Sequence, residues 1–385
     1  MASHLLVTND YLPKTGGIQV YLHELWRRLD AGRAVVLTAT SDPRAAQFDE
    51  DCDVVIERVP EGTLFAPQPR ALRAIEEAIA RHQPEIVLLD PAWPLGLLGP
   101  RLSRPYGVIL HGAEVAIPGR LPVASSSMRY ILRHAAVALC AGSYPEAEAR
   151  RVAGADMPPV IQIPPGVDVE RFSPISSSRR HEVREKFGFA ESDVVVVSYS
   201  RLVPRKGMDT LIRAAAQLRG HFPELVVAIG GSGRDRERLE KLAQHEHAPV
   251  RFLGRVSDDD LPGWIAASDL MVMDCRSRWL GLEQEGFGIV FAEAAACGVA
   301  QIAGRSGGSH DAVEHGVTGM VVDNPSSSSD LATAMAKLLG DADLRGQLGS
   351  NARRHAESTF SWTLLAERLG RELHTFDRYR RGDEG

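Results

Sequence analysis

Cysteine and lysine are the scarce residues in this chain. Its four cysteines (Cys52, Cys140, Cys275 and Cys297) form no C-x-x-C pair, and three of them lie among apolar or small residues. That pattern argues against a disulfide framework or a zinc site and reads as buried, reduced thiols in a cytosolic protein. Lysine supplies only five of the 44 basic side chains, a bias expected of a GC-rich genome rather than of chemistry. Positive charge is not in excess either. The formal net charge is −6, and nothing suggests a nucleic-acid partner. No run of 18 apolar residues occurs, and the apolar part of the opening MASHLLVTND is too short for a signal peptide. The expectation is a cytoplasmic protein with no membrane span. Also missing are a G-x-G-x-x-G fingerprint and a Walker lysine, so neither a dinucleotide motif nor a P-loop is present.

What the chain does have is alternation. Short Val/Ile/Leu runs at 5–10, 34–40, 53–59, 85–90, 106–112, 136–143 and 160–164 read as strands, with helix-like stretches such as 20–29 and 70–82 between them. Continuous apolar strands joined by helices predict an α/β fold with a parallel sheet covered on both faces. The stretch PPGVDVERFSPISSSRRHE (164–182) reads as a linker, after which a second series follows at 194–200, 225–231, 250–256, 270–275, 300–304 and 319–323. The expected organisation is two doubly wound domains, 1–168 and 169–361, facing each other across a cleft, then a C-terminal helical segment, 362–385. Ligands in such sheets bind outside the carboxyl ends of the strands.

Several groups fall at those ends. Gly16–Gly17 follow the first strand and open the first helix, where exposed amides suit a phosphate; a bare turn explains them equally well. Arg201 and Lys206 lie in the loop after VVVVSYS, where two cations can neutralise a diphosphate. Arg205 reads as a solvent-exposed neighbour. Gly230, Gly231 and Gly233 form a strand-to-helix turn, structural or ligand-contacting. His111 ends the strand YGVILHG, with a structural and a functional role both open.

The stretch EQEGFGIVFAEAAACG (283–298) sets two carboxylates eight positions apart around glycine and apolar residues. GIVFAEAAACG predicts a helix ending at Gly298, which puts Glu285 in the loop ahead of it and Glu293 inside it. One extended ligand can touch both. The amides of Phe287, Gly288 and Ile289 would face an anionic or hydroxyl-bearing group, and a carboxylate's two acceptor oxygens match a vicinal diol such as a ribose. An unpaired Glu293 in so apolar a helix would be costly. The D-x-D matches at Asp258–Asp260, Asp49–Asp51 and Asp51–Asp53 are bare patterns. SDDDLPGW reads as a helix start at which the acids cap amides, and no metal site is expected.

In order along the chain, the GGI loop, HG at 111–112, GVDVERF, SRLVPRKG, GGSGR, FLGRV, E-x7-E and GGSHDAVEHGVTG resemble the family 4 retaining glycosyltransferases of the GT-B fold. The likeness runs over nearly the whole chain. VTNDYLPKTGGIQ, SRLVPRKG and LEQEGFGIVFAEAAACGV are most similar to the actinobacterial phosphatidylinositol mannosyltransferases, in particular the one adding the second mannose.

The resemblance implies roles. Arg201 and Lys206 would hold the donor diphosphate, and Gly16–Gly17 would close on it. Glu293 would bind the ribose, and Glu285 the transferred hexose with the amides of Phe287, Gly288 and Ile289. His111 would face the sugar, and Gly231 would lie in the donor loop. Val256 and Asp258 would lie where related enzymes place the base; one carboxylate at Asp258 can accept both N1–H and the exocyclic amine of guanine. No metal or other cofactor is implied, and retention would come from same-face attack with the leaving phosphate helping to deprotonate the acceptor. The C-terminal helix would return to the N-terminal domain. Two departures stand out: Ser309–His310 replace Pro-Glu after the late glycine pair, and CGVPV becomes CGVAQ.

The reading is a GDP-mannose-dependent mannosyltransferase acting on a phosphoinositide glycolipid at the inner face of the plasma membrane. Its rivals are a UDP-sugar transferase with a soluble acceptor, a GT-B epimerase and a non-catalytic nucleotide-sugar binder. Between Ser103 and Ala135, Arg104, Arg120, Arg129 and Arg133 stand against Glu114 alone. With MRYILRHAA this predicts peripheral contact with an anionic membrane surface, Arg129 and Arg133 leading it.

Overall fold

The computed structural model describes residues 4–14, 16–29, 34–39 and 42–381. The last residues of the tail, 382–385, lie outside the described residues. Among the described residues, thirteen strands appear where the apolar runs predict them. β1 (His4–Thr8), β2 (Ala34–Ala39), β3 (Val55–Val59), β4 (Ile86–Asp90), β5 (Tyr106–Leu110), β6 (Val137–Cys140) and β7 (Val160–Gln162) form one sheet. A second contains β8 (Val194–Tyr199), β9 (Leu225–Gly230), β10 (Val250–Gly254), β11 (Leu270–Met273), β12 (Gln301–Gly304) and β13 (Gly319–Val322).

All pairings within both sheets are parallel. The strand orders are 3-2-1-4-5-6-7 and 10-9-8-11-12-13. The order therefore reverses beside β1 and β4 in the first sheet and beside β8 and β11 in the second, and a crevice opens at the carboxyl ends of such strands. The inner strands are apolar at nearly every position because both faces are covered, whereas the edge strands β3 and β10 are partly exposed and carry Glu57, Arg58 and Arg251. Leu5 and Val7 pack on one face and Leu6 on the other, each with no exposed area.

The chain divides into two compact units, one running to Pro165 and taking back the chain from Trp362, the other spanning Gly166–Ser361. The long final helix, Trp362–Arg381, belongs to the first unit. Its Trp362, Leu365, Ala366, Leu369 and Leu373 recur at helical spacing and join Leu22, Leu25 and Trp26 of the helix Gly17–Trp26 in one core. In the second unit, the helix Ile289–Ala296 is apolar nearly all round and is buried accordingly, Phe291, Ala292, Ala294, Ala295 and Ala296 among the core residues.

Candidate active site

In the first unit the site starts from three strand ends. Thr8 and Asp90 are register partners at the ends of β1 and β4, and the Thr8 hydroxyl donates to Asp90 Oδ2 at 2.7 Å. His111, one residue past β5, has its Nε2 2.9 Å from Asp90 Oδ1. The Tyr21 ring meets the imidazole edge-on, with centroids 5.4 Å apart. Burial alone would lower the pKa of this histidine. The hydrogen bond to Asp90, its charge and that of Glu114 outweigh burial, and the pKa is raised. Glu114 also holds the loop, accepting from the amides of His111 and of Gly112 (2.9 Å), whose φ of 133° suits only glycine. Sequence reading missed Asp90, although an acid ending a buried strand beside the switch point was the available signal.

At the end of β1, Asp10 Oδ2 pairs with Lys14 Nζ at 2.8 Å and accepts from Gln19 Nε2 at 2.8 Å, which folds the chain around Gly16–Gly17. A Cβ at Gly17 would meet nothing within 4 Å, so this glycine leaves open space beside the helix start. A cavity of about 130 Å³ lies here, lined by Asn9, Asp10, Lys14, Glu61 and Phe65 among others.

In the second unit the charged cluster sits on the loops after β8 and β11. Pro204–Lys206 is a short 3₁₀ turn that aims two adjacent cations at one carboxylate. Lys206 Nζ lies 2.7 Å from Glu285 Oε2, and Arg205 bonds the same oxygen. Burial would raise the Glu285 pKa, but Lys206 and Arg205 outweigh it and hold it at about 2. Arg205 is therefore not the solvent-exposed neighbour expected. Its side chain is only 16 % exposed, and it also approaches Glu283. Two acids at 283 and 285 facing two adjacent bases were the signal, and the pairing needed the fold to bring together residues 80 apart. Arg201, by contrast, is exposed on the same loop.

Glu293 lies within the helix, partly buried, and its Oε2 is 2.8 Å from the Tyr199 hydroxyl. Burial raises its pKa to about 7; the Tyr199 hydrogen bond and Arg171 only partly oppose this. Gly288 precedes the helix with φ 81°, while Phe287 is buried and stacks edge-on against Phe360. Ile289 begins the helix.

The glycine turn after β9 is required by the protein itself. A Cβ at Gly231 would come within 1.9 Å of the Ser200 carbonyl oxygen, and one at Gly233 within 2.3 Å of that of Leu202. Val256 packs partly buried against the core. Asp258 is 74 % exposed, 3.8 Å from Arg255.

The expected capping by this acidic run is corrected by the structure. Asp260 precedes the helix Leu261–Ala266 without a side-chain cap and pairs with Lys186 at 2.5 Å. It is the Ser257 hydroxyl that takes the Asp260 amide. A cation on a neighbouring helix has outcompeted the local amides. Ser309, one of the departures, is fully buried and ties its loop by accepting from the Ser306 amide and donating to the Gly304 carbonyl. Among the described residues, no cluster of His, Cys, Asp or Glu suits a metal ion, and no helix is long and apolar enough to cross a membrane.

Two parallel doubly wound sheets, with charged groups gathered at their carboxyl edges, are the GT-B architecture of nucleotide-sugar glycosyltransferases. Comparison with known proteins gives the family. A model described as Glycosyltransferase Family 4 matches residues 15–171, and one described as Glycosyl transferases group 1 matches residues 179–355.

The chain is 39% identical over 383 residues to the GDP-mannose-dependent alpha-(1-6)-phosphatidylinositol monomannoside mannosyltransferase of Mycobacterium tuberculosis, covering 96% of this chain and 97% of that one. It is 35% identical over 370 residues to the GDP-mannose-dependent monoacylated alpha-(1-6)-phosphatidylinositol monomannoside mannosyltransferase of Corynebacterium glutamicum, covering 95% and 96%. The protein belongs to the family 4 glycosyltransferases. The fold is similar to HepE of Anabaena, solved in complex with UDP (TM-score 0.82, 22% identity, 97% and 100% of the chains), and to a sucrose-phosphate synthase from Thermosynechococcus elongatus (TM-score 0.76, 22% identity, 97% and 98%).

Proposed function

We propose that this protein transfers mannose from GDP-mannose to a phosphatidylinositol mannoside, with retention at the anomeric carbon. The observation that carries this reading is the full-length likeness, at 35% to 39% identity, to relatives bearing that activity in their names. The charge arrangement supports it. On the second unit's edge, Arg201, Arg205, Lys206 and Arg278 outnumber the two acids Glu283 and Glu285, a surplus that suits a diphosphate leaving group. Lys206 and Arg201 stabilise the departing GDP, Glu285 orients the hexose and Glu293 takes the ribose. Phe287, Gly288, Ile289 and Gly231 line the donor, and Val256 and Asp258 meet the base.

Glu285 is a poor nucleophile, because one of its oxygens is committed to two cations. This favours attack by the acceptor hydroxyl itself over a glycosyl-enzyme intermediate, with the leaving phosphate taking the proton. Within the first unit, His111, held by Asp90, is the group suited to a sugar hydroxyl, and Gly16–Gly17 supply the amides suited to a phosphate.

The test is a panel of GDP- and UDP-sugars against inositol lipids, with and without chelator. GDP-mannose should be consumed only when a mannosylated inositol lipid is present, and chelation should change nothing. Consumption of a UDP-sugar instead, or activity restored only by Mg²⁺, would replace this reading.

The acceptor brings the first unit to the inner face of the membrane as a peripheral protein. Supporting this, Ile117, Leu121, Val123 and Tyr130 are exposed (46%, 55%, 85% and 47%) on and just before the helix Pro122–His134, which also carries exposed Arg129 and Arg133. Arg129 Nε donates to the Val152 carbonyl at 2.9 Å, while Arg133 is 67 % exposed and only 3.9 Å from Asp156. Each such charge contributes ~1 kcal/mol near an anionic surface. Arg129→Glu/Arg133→Glu should lose salt-sensitive co-sedimentation with phosphatidylinositol vesicles; equal binding by the wild type and this variant would exclude the helix.

A further inference from the structure

The loop between β11 and Glu285 carries a side chain that nothing above has used. Residues 278–283 form a tight hairpin. The Arg278 amide donates to the Glu283 carbonyl at 2.9 Å, and the Glu283 amide donates back at 3.2 Å. Gly281 and Leu282 close the tip onto the carbonyls of Arg278 and Trp279 at 3.0 and 3.1 Å. The Gln284 amide side chain braces Gly281 from behind at 3.0 Å.

Trp279 stands on this tip with φ 51°, a left-handed conformation that a bulky L residue rarely adopts. Its indole is 61% exposed. Most of this large apolar side chain therefore faces solvent rather than a core.

The indole is tied to the reacting site by an unbroken chain of charges. The Arg278 guanidinium lies 4.8 Å from the indole centroid and donates to Glu283 at 3.0 Å. Glu283 faces Arg205 at 3.9 Å, and Arg205 bonds Glu285. The ring is thus fixed relative to the carboxylate assigned to the donor hexose, on the same carboxyl edge.

We propose that Trp279 is a specificity-determining contact for the acceptor, its ring face stacking on the C–H face of the acceptor's pyranose while Arg278 and Glu283 meet ring hydroxyls. This rests on the mannosyl-transfer reading above. The negative face of an aromatic ring attracts the positively polarised hydrogens of a sugar's C–H bonds, and the flanking fork and carboxylate supply a donor and an acceptor. A lipid surface is the less suitable occupant. Arg278 and Glu283 neutralise each other, so the tip carries no charge toward anionic headgroups.

The test uses the full chain with a deacylated mannosyl-phosphoinositol-glycerol acceptor in free solution, comparing wild type, Trp279→Ala and Trp279→Phe. Initial rates give separate KM values for this acceptor and for GDP-mannose, and thermal melts check the fold. Trp279→Ala should raise the acceptor KM about tenfold, the effect of losing one aromatic contact of ~1.4 kcal/mol, and leave the GDP-mannose KM within about twofold. Trp279→Phe should recover most of the loss.

An unchanged acceptor KM in Trp279→Ala would overturn the inference and leave the proposed function standing. A defect confined to vesicle-borne acceptor, with parallel loss of co-sedimentation, would overturn it in favour of a membrane contact. Failure of the wild type to mannosylate any inositol lipid would instead overturn the function on which it rests.

Discussion

Glu285 and Glu293 are the same residue type, eight positions apart, and the fold drives them in opposite directions. Glu285 precedes the helix, between the Lys206 ammonium and the Arg205 guanidinium, and is held at about 2. Glu293 lies one loop and about one helical turn further on, where its hydrogen-bond partner is the neutral Tyr199 phenol, and burial lifts it to about 7. Burial opposes the charged form at both sites. The difference is whether a cation has been brought within contact distance to offset it. The first carboxylate is thus a permanent anion locked into a charge network, and the second changes protonation near neutral pH.

Removing a cation should produce the largest effect. Lys206→Ala should cut kcat by ~10²–10³, the usual loss when a group opposite developing charge is deleted. Arg205 should keep Glu285 paired and the fold intact. Near-normal kcat in that variant would remove Lys206 from the site and leave Arg205 and Arg201 as the cations that matter.

Exchanging the two acids for amides tests the contrast directly. Glu285→Gln should lower turnover while changing the Kd for GDP by less than about twofold, whereas Glu293→Gln should weaken GDP about tenfold. If Glu293 takes the ribose, its ionised carboxylate accepts from the hydroxyls better than the protonated acid, so GDP should bind the wild type more tightly as pH rises from 6 to 8 through the value of about 7. Subtracting the Glu293→Gln profile removes the titration of the nucleotide's own phosphates. A difference flat across that range would end the ribose assignment, and equal effects of both amides on GDP affinity would end the division of roles.

Asp274 sharpens the comparison with the smallest effect. It follows β11, next to Cys275, and is 1% exposed with neither carboxylate oxygen hydrogen-bonded among the described residues. Burial, only partly opposed by Arg276, raises its pKa from 3.8 to about 8. An acid whose folded pKa lies above its unfolded one is bound to its proton more firmly in the native state. Stability is therefore full below pH ~4 and falls as pH rises to about 8. Asp274→Asn should melt above the wild type by a margin that widens between pH 5 and 8, at about 2–4 °C per kcal/mol for a unit the size of Gly166–Ser361. A constant margin would mean that Asp274 ionises without penalty.

The inner strands were legible because a segment buried on both faces must be mostly apolar. β8, with VVVVSY, needs no tertiary knowledge to be read. The helix around Glu293 was legible for the same reason, and so was the need for a partner to that carboxylate, but not the identity of Tyr199. Arg205 was misread because adjacent bases on a loop look alike until one knows which way each points. Asp260 was misread because its competing cation, Lys186, lies 74 residues away. Asp90 went unnoticed because an acid ending a strand becomes meaningful only with His111 against it.

The sequence by itself determined the parallel α/β architecture, the placement of charged and glycine-rich loops at the strand ends, and membership of the glycosyltransferase family, all of which follow from local pattern and ordered motifs. Only the tertiary structure decided the charge states. They depend on distance and burial between residues far apart in the chain: 21 positions for Asp90 and His111, 80 for Arg205 and Glu285, 94 for Tyr199 and Glu293. Coulomb energy falls with separation and rises as water is excluded, and neither quantity is written along a one-dimensional chain.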